Sequence, residues 1–164
     1  MNPFSLQGKV ALVSGANTGL GQAMAIALAE AGADVAAVGR TDPADTAQAV
    51  RAAGRRFHWV KASLDTAAPV PAIIEAVERE LGGIDILVNN AGVGLEGPWL
   101  EATYADYDFG IGVNLGGVIN GHVEFVPQMI ADGRGRQIVS TGRLAAESVM
   151  PEHQAIYAAS KAAV

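Results

Sequence analysis

The sequence predicts an α/β fold, a doubly wound parallel sheet held between two layers of helices. Three observations carry the prediction. Half of the 164 residues are hydrophobic but only 5% are aromatic, a palette of Ala, Val, Ile and Gly that suits strands covered on both faces by small-residue helices. Short apolar runs alternate with helix-length segments along the chain. The loop Ser14-Gly15-Ala16-Asn17-Thr18-Gly19-Leu20-Gly21 joins the first apolar run to the first helical pattern.

In chain order, strands are expected at Val10 to Val13, Val35 to Val38, Phe57 to Val60, Ile84 to Val88 and Ile138 to Ser140. The first helix should run from Leu20 to Ala31. The second should start at Thr41-Asp42-Pro43, a capping residue with proline in the first turn, and the third, Pro69 to Leu81, behind a cap at Thr66. Gly32, Gly54 and Gly82-Gly83 mark the stops. Thr103 to Ile130 reads as one long helix despite Gly110, Gly112, Gly116, Gly117 and Gly121, each costing about 1 kcal/mol relative to Ala. Either close packing against the sheet or the approach of a second subunit's helix would offset that cost. Right-handed crossovers then give a parallel sheet with ligands at the carboxyl ends of its strands.

The glycine loop is the first chemical signal. Its glycines let the backbone turn sharply, and the helix behind it opens with unpaired N–H groups and a positive dipole end, where a dinucleotide pyrophosphate binds. The spacing is not the common Gly-x-Gly-x-x-Gly of Rossmann folds, so alone the loop reads equally well as an ordinary glycine-rich turn. Composition narrows the alternatives. A net charge of −6, with no basic cluster longer than Arg55-Arg56, argues against nucleic acid and anionic membranes as partners. The chain has no cysteine, which removes disulfides and thiolate chemistry, and His58, His122 and His153 lack metal-ligand spacing, so no metal is expected. Neither a leader pattern at Met1-Asn2-Pro3-Phe4 nor an apolar run long enough to span a bilayer is present, and a cytoplasmic location is expected.

Four further motifs stand downstream: Asn89-Asn90-Ala91-Gly92 ending the fourth strand, Asn114 in the long helix, Ser140-Thr141 ending the fifth strand, and Tyr157-Ala158-Ala159-Ser160-Lys161. With the glycine loop they make the chain resemble the short-chain dehydrogenase/reductase family over essentially its whole length, with Ser14 where the family's loop has threonine. The stretches Phe4 to Val10, Thr18 to Gln22, Gly54 to Phe57 and Ile84 to Gly92 look most like the branch acting on deoxy-gluconate-type sugar acids. The resemblance implies one Rossmann-like dinucleotide-binding domain over residues 1–164. Members continue well past the Tyr-Lys motif, so it also implies a C-terminus that is incomplete and lacks the last strands.

The resemblance assigns roles. Tyr157 and Lys161, four apart, share one helix face, and an ammonium beside a phenol favours the phenolate. Tyr157 would exchange a proton with the substrate oxygen while a nicotinamide exchanges hydride with the carbon. Lys161 would tune Tyr157 and hold the nicotinamide ribose, and Asn114 would anchor a water linking the lysine to solvent. Gly15, Asn17, Thr18, Gly19, Leu20 and Gly21 would cradle the cofactor phosphates. Asn90, Ala91 and Gly92 would wall the ribose, and Ser63 and Leu64 would face the adenine. The expected activity is NAD(P)-dependent interconversion of a secondary alcohol and a ketone, in a full-length form that is a homo-oligomer. The rival is a non-catalytic dinucleotide-binding module or an inactive fragment.

Departures from the family pattern shape these expectations. Matching the fifth strand places Gly142 or Arg143 where the catalytic serine belongs, with Ser140 and Thr141 two or three positions early. Either a register shift brings Thr141 into service, or Arg143 binds an anionic substrate or fills the hole with charge. Ser63 stands where the family has an aspartate at the adenine edge, and Asp65 reads as a helix-capping acid. At the end of the second strand Gly39-Arg40 replaces the acid that an NAD site uses for the ribose. A guanidinium suits a 2′-phosphate, which favours NADP over NAD, although Thr18 lacks the basic character common in NADP-type loops. Trp59 is expected to fill the core, Trp99 to sit near the substrate, and Glu75, Glu78 and Glu80 to form a solvated helix face.

Overall fold

The computed structural model describes residues 3–95, 99–133, 135–143 and 155–164. Five parallel strands form one sheet in the order β3-β2-β1-β4-β5: β1 (Val10–Ser14), β2 (Asp34–Gly39), β3 (Phe57–Lys61), β4 (Ile86–Asn89) and β5 (Gln137–Ser140). The central register aligns Val13 with Ala37 on one side and with Val88 on the other. All of β1 is buried, as its unbroken apolar run predicts for a strand covered on both faces. The chain winds outward from β1 through β2 to β3, then returns to place β4 on the other side of β1. That reversal creates a crevice at the carboxyl ends of β1 and β4, the position where open α/β sheets bind ligands.

Two apolar clusters cover the two faces. On one, Ala25 and Ala29 of α1 (Gly19–Glu30) meet Val13, Val35 and Val88, together with Val50 of α2 (Ala44–Ala52). On the other, Ile73 and Val77 of α3 (Val70–Leu81) and Phe125 of α5 (Gly117–Asp132) meet Leu12, Val38 and Leu87. Alanines on α1 let its backbone lie close to the sheet that carries the glycine loop. At the amino ends of the strands, buried Asp34 pairs with Arg55 and Arg56 at 2.9 and 2.7 Å, and Asp85 accepts the Val10 N–H at 3.0 Å. These carboxylates tie neighbouring strands together at the end away from the crevice.

The long glycine-rich helix is continuous but not uniform. An α-helical stretch α4 (Tyr104–Ile111) passes through a π-helical turn at Gly112–Gly116 into α5. Close packing explains its glycines where the sheet approaches. A Cβ at Gly112 would stand 2.8 Å from the Asp65 carbonyl oxygen and one at Gly121 would stand 2.7 Å from Asn89 Oδ1, while Gly110 lies against Leu95 and Ile156. Three expected caps are corrected. The cap positions of α2 and α3 are Pro43 and Pro69, neither with a side-chain bond, so Thr41-Asp42, Thr66 and Asp65 cap nothing. Proline's fixed φ begins these helices without a side-chain acceptor, and Asp65 instead lends its backbone to the contact with Gly112. An unexpected cap starts α4, where Thr103 and Asp106 exchange bonds with each other's backbone N–H. β4 begins at Ile86, with Ile84 and Asp85 outside it.

Candidate active site

Ser14 builds the floor of the crevice. Its hydroxyl donates to the Val88 carbonyl at 3.2 Å and accepts the N–H groups of Asn90 and Ala91, each at 2.9 Å. Asn90 reciprocates through Nδ2, which donates to the carbonyls of Ser14 at 3.1 Å and Gly15 at 3.4 Å. The end of β4 and the glycine loop are thereby stitched together. Gly21 is required there, because a Cβ would run into the Gly15 carbonyl oxygen and stand 2.5 Å from Asn90 Nδ2. Gly15, at φ 68°, turns the chain back over Ala91. Thr18, the cap residue of α1, makes no side-chain bond to the helix, and the first turn holds no acid. The open N–H groups and dipole of that turn suit an anion.

A cavity of about 310 Å3 lies over this floor. Of the residues expected at a cofactor, Gly15, Asn17, Thr18, Leu20, Gly21, Arg40, Ser63, Leu64, Asn90, Ala91 and Gly92 all line it. Gly19 does not; with φ 57° it sets the turn into α1. Among the described residues no carboxylate lines this cavity. Gly39, Thr41, Ala62, Val93 and Val113 also line it, beyond the residues expected from the sequence. Val113 reaches the site from the π-helical turn, and no local signal marks it. Arg40 is held by a contact that its position in sequence does not reveal, with its guanidinium carbon 5.3 Å from the centre of the Phe109 ring.

Tyr157 and Lys161 lie on α6 (Ala155–Ala162) and line a second cavity of about 470 Å3 with Thr141, Gly142 and Arg143. The two cavities share Leu20, Asn90 and Gly92, so they form one groove across the carboxyl edge of the sheet. Lys161, 6% exposed, donates from Nζ to the Thr141 carbonyl at 2.9 Å. The Thr141 hydroxyl donates to Asn90 Oδ1 at 3.2 Å. Thr141 therefore couples the end of β5 both to the lysine and to the glycine-loop floor. Gly142 and Arg143 follow it into the cavity, and Arg143 places its guanidinium carbon 5.1 Å from the centre of the Tyr157 ring.

Asn114 lines neither cavity but supports both. Fully buried in the π-helical turn, it accepts the Val93 N–H through Oδ1 at 2.7 Å. Its Nδ2 donates to the Val93 carbonyl at 3.1 Å and to Ser160 Oγ at 2.9 Å. Ser160 in turn donates to the Tyr157 carbonyl at 2.7 Å. The side-chain amide thus fastens the loop after β4 to the helix bearing Tyr157. A Cβ on Gly92 would lie 3.3 Å from Asn114 Oδ1 and 3.7 Å from Lys161 Nζ, so these groups meet at one wall. Ser160 is the residue the motif reading passed over. Its signal, a small polar residue between the tyrosine and the lysine, gains meaning only when Asn114 is seen against it. Extra-wide helical turns of this kind are common at functional sites.

Other expectations resolve simply. Trp59, half-buried on the outer strand β3, packs beside the core and donates to the Gly39 carbonyl at 3.4 Å. His153 and the side chain of Trp99 lie outside the described residues. Among the described residues no cluster of His, Asp or Glu is placed to hold a metal ion, and no helix is long and apolar enough to cross a membrane.

Comparison with known proteins bears directly on this groove. The family model described as short chain dehydrogenase matches residues 9–164. The chain belongs to that family. Within it, 2-dehydro-3-deoxy-D-gluconate 5-dehydrogenase of Escherichia coli (strain K12) is 39% identical over 140 residues, covering 85% of this chain and 55% of that protein. The chain therefore spans little more than half the length of this curated relative. Among solved structures, a family member from Burkholderia phymatum in complex with NAD superposes with a TM-score of 0.90 at 34% identity, covering 98% of this chain and 57% of that one. A protein from Agrobacterium tumefaciens, provisionally identified as a 2-deoxy-D-gluconate 3-dehydrogenase and holding NADP, gives a TM-score of 0.88 at 34% identity, with coverage of 99% and 64%. Family members of this fold thus bind either nicotinamide dinucleotide.

Proposed function

We propose that this chain forms the nucleotide-binding and catalytic portion of an NAD(P)-dependent oxidoreductase that interconverts a secondary alcohol and a ketone, with NADP preferred. One observation supports the reading above all others. The cavity holding Tyr157 and Lys161 opens, through Leu20, Asn90 and Gly92, into the cavity over the glycine loop. A dinucleotide whose phosphates rest on the first turn of α1 would reach Tyr157 with its far end. The glycine floor fits such a group, since a side chain at Gly21 would close the approach. When bound, the nicotinamide supplies or accepts the hydride. Arg40, with no carboxylate among the described residues of the cavity it lines, favours a 2′-phosphate over bare ribose hydroxyls.

In this reading Tyr157 donates a proton from its hydroxyl to the ketone oxygen during reduction and takes one from the alcohol during oxidation. Lys161 stands one helical turn beyond Tyr157 and brings a positive charge to the same cavity. Thr141, just past β5, brings a hydroxyl to the cavity of Tyr157 and in this reading stands in for the family's serine. Asn114 holds the loop after β4 and the helix of Tyr157 in mutual register through Val93 and Ser160. Replacing Tyr157 by Phe removes the proton donor and keeps the ring. Ketone reduction should then fall by about a hundredfold or more, with NADPH affinity within about twofold of the parent. An unchanged rate would overturn the assignment.

The second reading, a binding module without turnover, has its own observation. Thr141 turns its hydroxyl toward Asn90, and Gly142 and Arg143 carry none, so the family's serine has no direct counterpart. Tight NADPH binding without ketone reduction by the parent chain would favour that reading.

A further inference from the structure

The cavity around Tyr157 runs against the electrostatics of the chain. Acids outnumber Lys and Arg by 17 to 11, yet no described carboxylate lines this cavity, whereas Lys161 and Arg143 both do. Neither cation joins an ion pair among the described residues. Lys161 is buried and committed to the Thr141 carbonyl. Arg143 is exposed and is steadied by the ring of Tyr157, 5.1 Å from its guanidinium carbon. A ring contact of this kind satisfies a guanidinium's charge without using its N–H groups, which stay available to an acceptor. Because Gly142 has no side chain, Arg143 is the first polar side chain past Thr141 on this wall.

We infer that Arg143 binds the carboxylate of an acidic substrate and so makes the site selective for hydroxy and keto acids over neutral alcohols and ketones. A carboxylate accepts two parallel N–H bonds from one guanidinium, which fixes orientation as well as position. Held there, the acid presents a carbon further along its chain to the Tyr157 hydroxyl. The cofactor phosphates are a less suitable partner. Arg143 lies in the second cavity, whereas Thr18, Gly21 and Arg40 line the first. The assignment names the substrate class for the oxidoreductase reading and rests on that reading for what happens at Tyr157; the binding itself does not require turnover.

The test is therefore an equilibrium one on the full chain. D-gluconate, 3-hydroxybutyrate and lactate are each titrated against the corresponding neutral amide by calorimetry, with and without saturating NADP. At least one acid should bind about tenfold or more tightly than its amide, the gain expected of charge-assisted hydrogen bonds. Arg143→Met should erase that preference while leaving amide and NADP affinities within about twofold, and Arg143→Lys should restore part of it, having the charge but not the fork. If no acid of the three is preferred, or if Arg143→Met weakens acid and amide alike, the inference is overturned. Acid selectivity that depends on Arg143 in a chain that fails to bind NADP would sink the oxidoreductase reading and leave the carboxylate site standing. NADP binding with a Tyr157-dependent turnover but no acid preference would do the reverse.

Discussion

Replacing Ser14 by Ala isolates how the crevice is built. Ser14 is 5% exposed, and its hydroxyl uses its full capacity, one donated bond to Val88 and two accepted from Asn90 and Ala91. Alanine leaves the two N–H groups without their acceptor. Each such loss costs about 1–3 kcal/mol when the group is buried. Asn90 and Ala91 are half-buried, so water recovers part of it and the sum should fall near about 2–3 kcal/mol. With a urea dependence of about 1–3 kcal/mol per M, the unfolding midpoint should drop by about 1–2 M. Tryptophan fluorescence follows the transition, aided by Trp59 on β3. The control is Ser14→Thr, which keeps the hydroxyl. Its extra methyl faces a small void of about 20 Å3 that Ser14 lines with Leu12, Asn89 and Gly121, so stability should stay within about 1 kcal/mol of the parent. A midpoint shift under about 0.3 M for Ser14→Ala, or equal losses for Ala and Thr, would refute this account.

Two further outcomes follow from the same framework. Gly21→Ala pushes a methyl against the Gly15 carbonyl and Asn90 Nδ2. Strain of about 1–3 kcal/mol should accompany at least a tenfold loss of NADP affinity by fluorescence titration, and parent-like affinity would show that the floor tolerates the methyl. For Asp34, burial acts to raise the carboxyl's pKa, but the hydrogen bonds from the Arg56 backbone and side chain and the charges of Arg55 and Arg56 outweigh it, holding it below the ordinary 3.8. A pKa depressed on folding stabilises the protein above the unfolded value and is lost as pH falls through the folded one. Urea midpoints measured from about pH 6 downward should therefore fall below about pH 4, and Asp34→Asn should lower the midpoint at neutral pH while flattening that acid limb. An acid limb of unchanged slope in the variant would assign it to other carboxylates.

Much of this architecture is written locally. The apolar runs specify five strands because a strand buried on both faces needs side chains without polar atoms throughout, and the β1 and β2 runs meet that condition. The glycine loop, Asn90-Ala91-Gly92 and the Tyr157/Lys161 spacing announce the groove because each depends on neighbours within a turn or two. Helix starts were less legible. Thr66 and Asp65 have the chemistry of caps, but Pro69 sets the backbone and the helix begins there. The long helix was visible as a helix; its π-helical turn was not, because it places Asn114 against Val93 and Ser160 rather than answering any pattern around Asn114.

The sequence by itself determined the class of fold, the order of its elements and the presence of a dinucleotide-type loop, since all three follow from short-range periodicity and backbone permissiveness. Only the tertiary structure decided which polar groups meet. Ser14 finds Asn90 and Ala91 at the end of the neighbouring strand β4, Asn114 finds Ser160, Arg40 finds Phe109, and Arg143 comes to rest over Tyr157. The partners of Ser14, Asn114 and Arg40 lie dozens of residues away, and Arg143 reaches Tyr157 only because β5 and α6 converge. Nothing local selects such partners; the sheet does, by fixing where each strand ends.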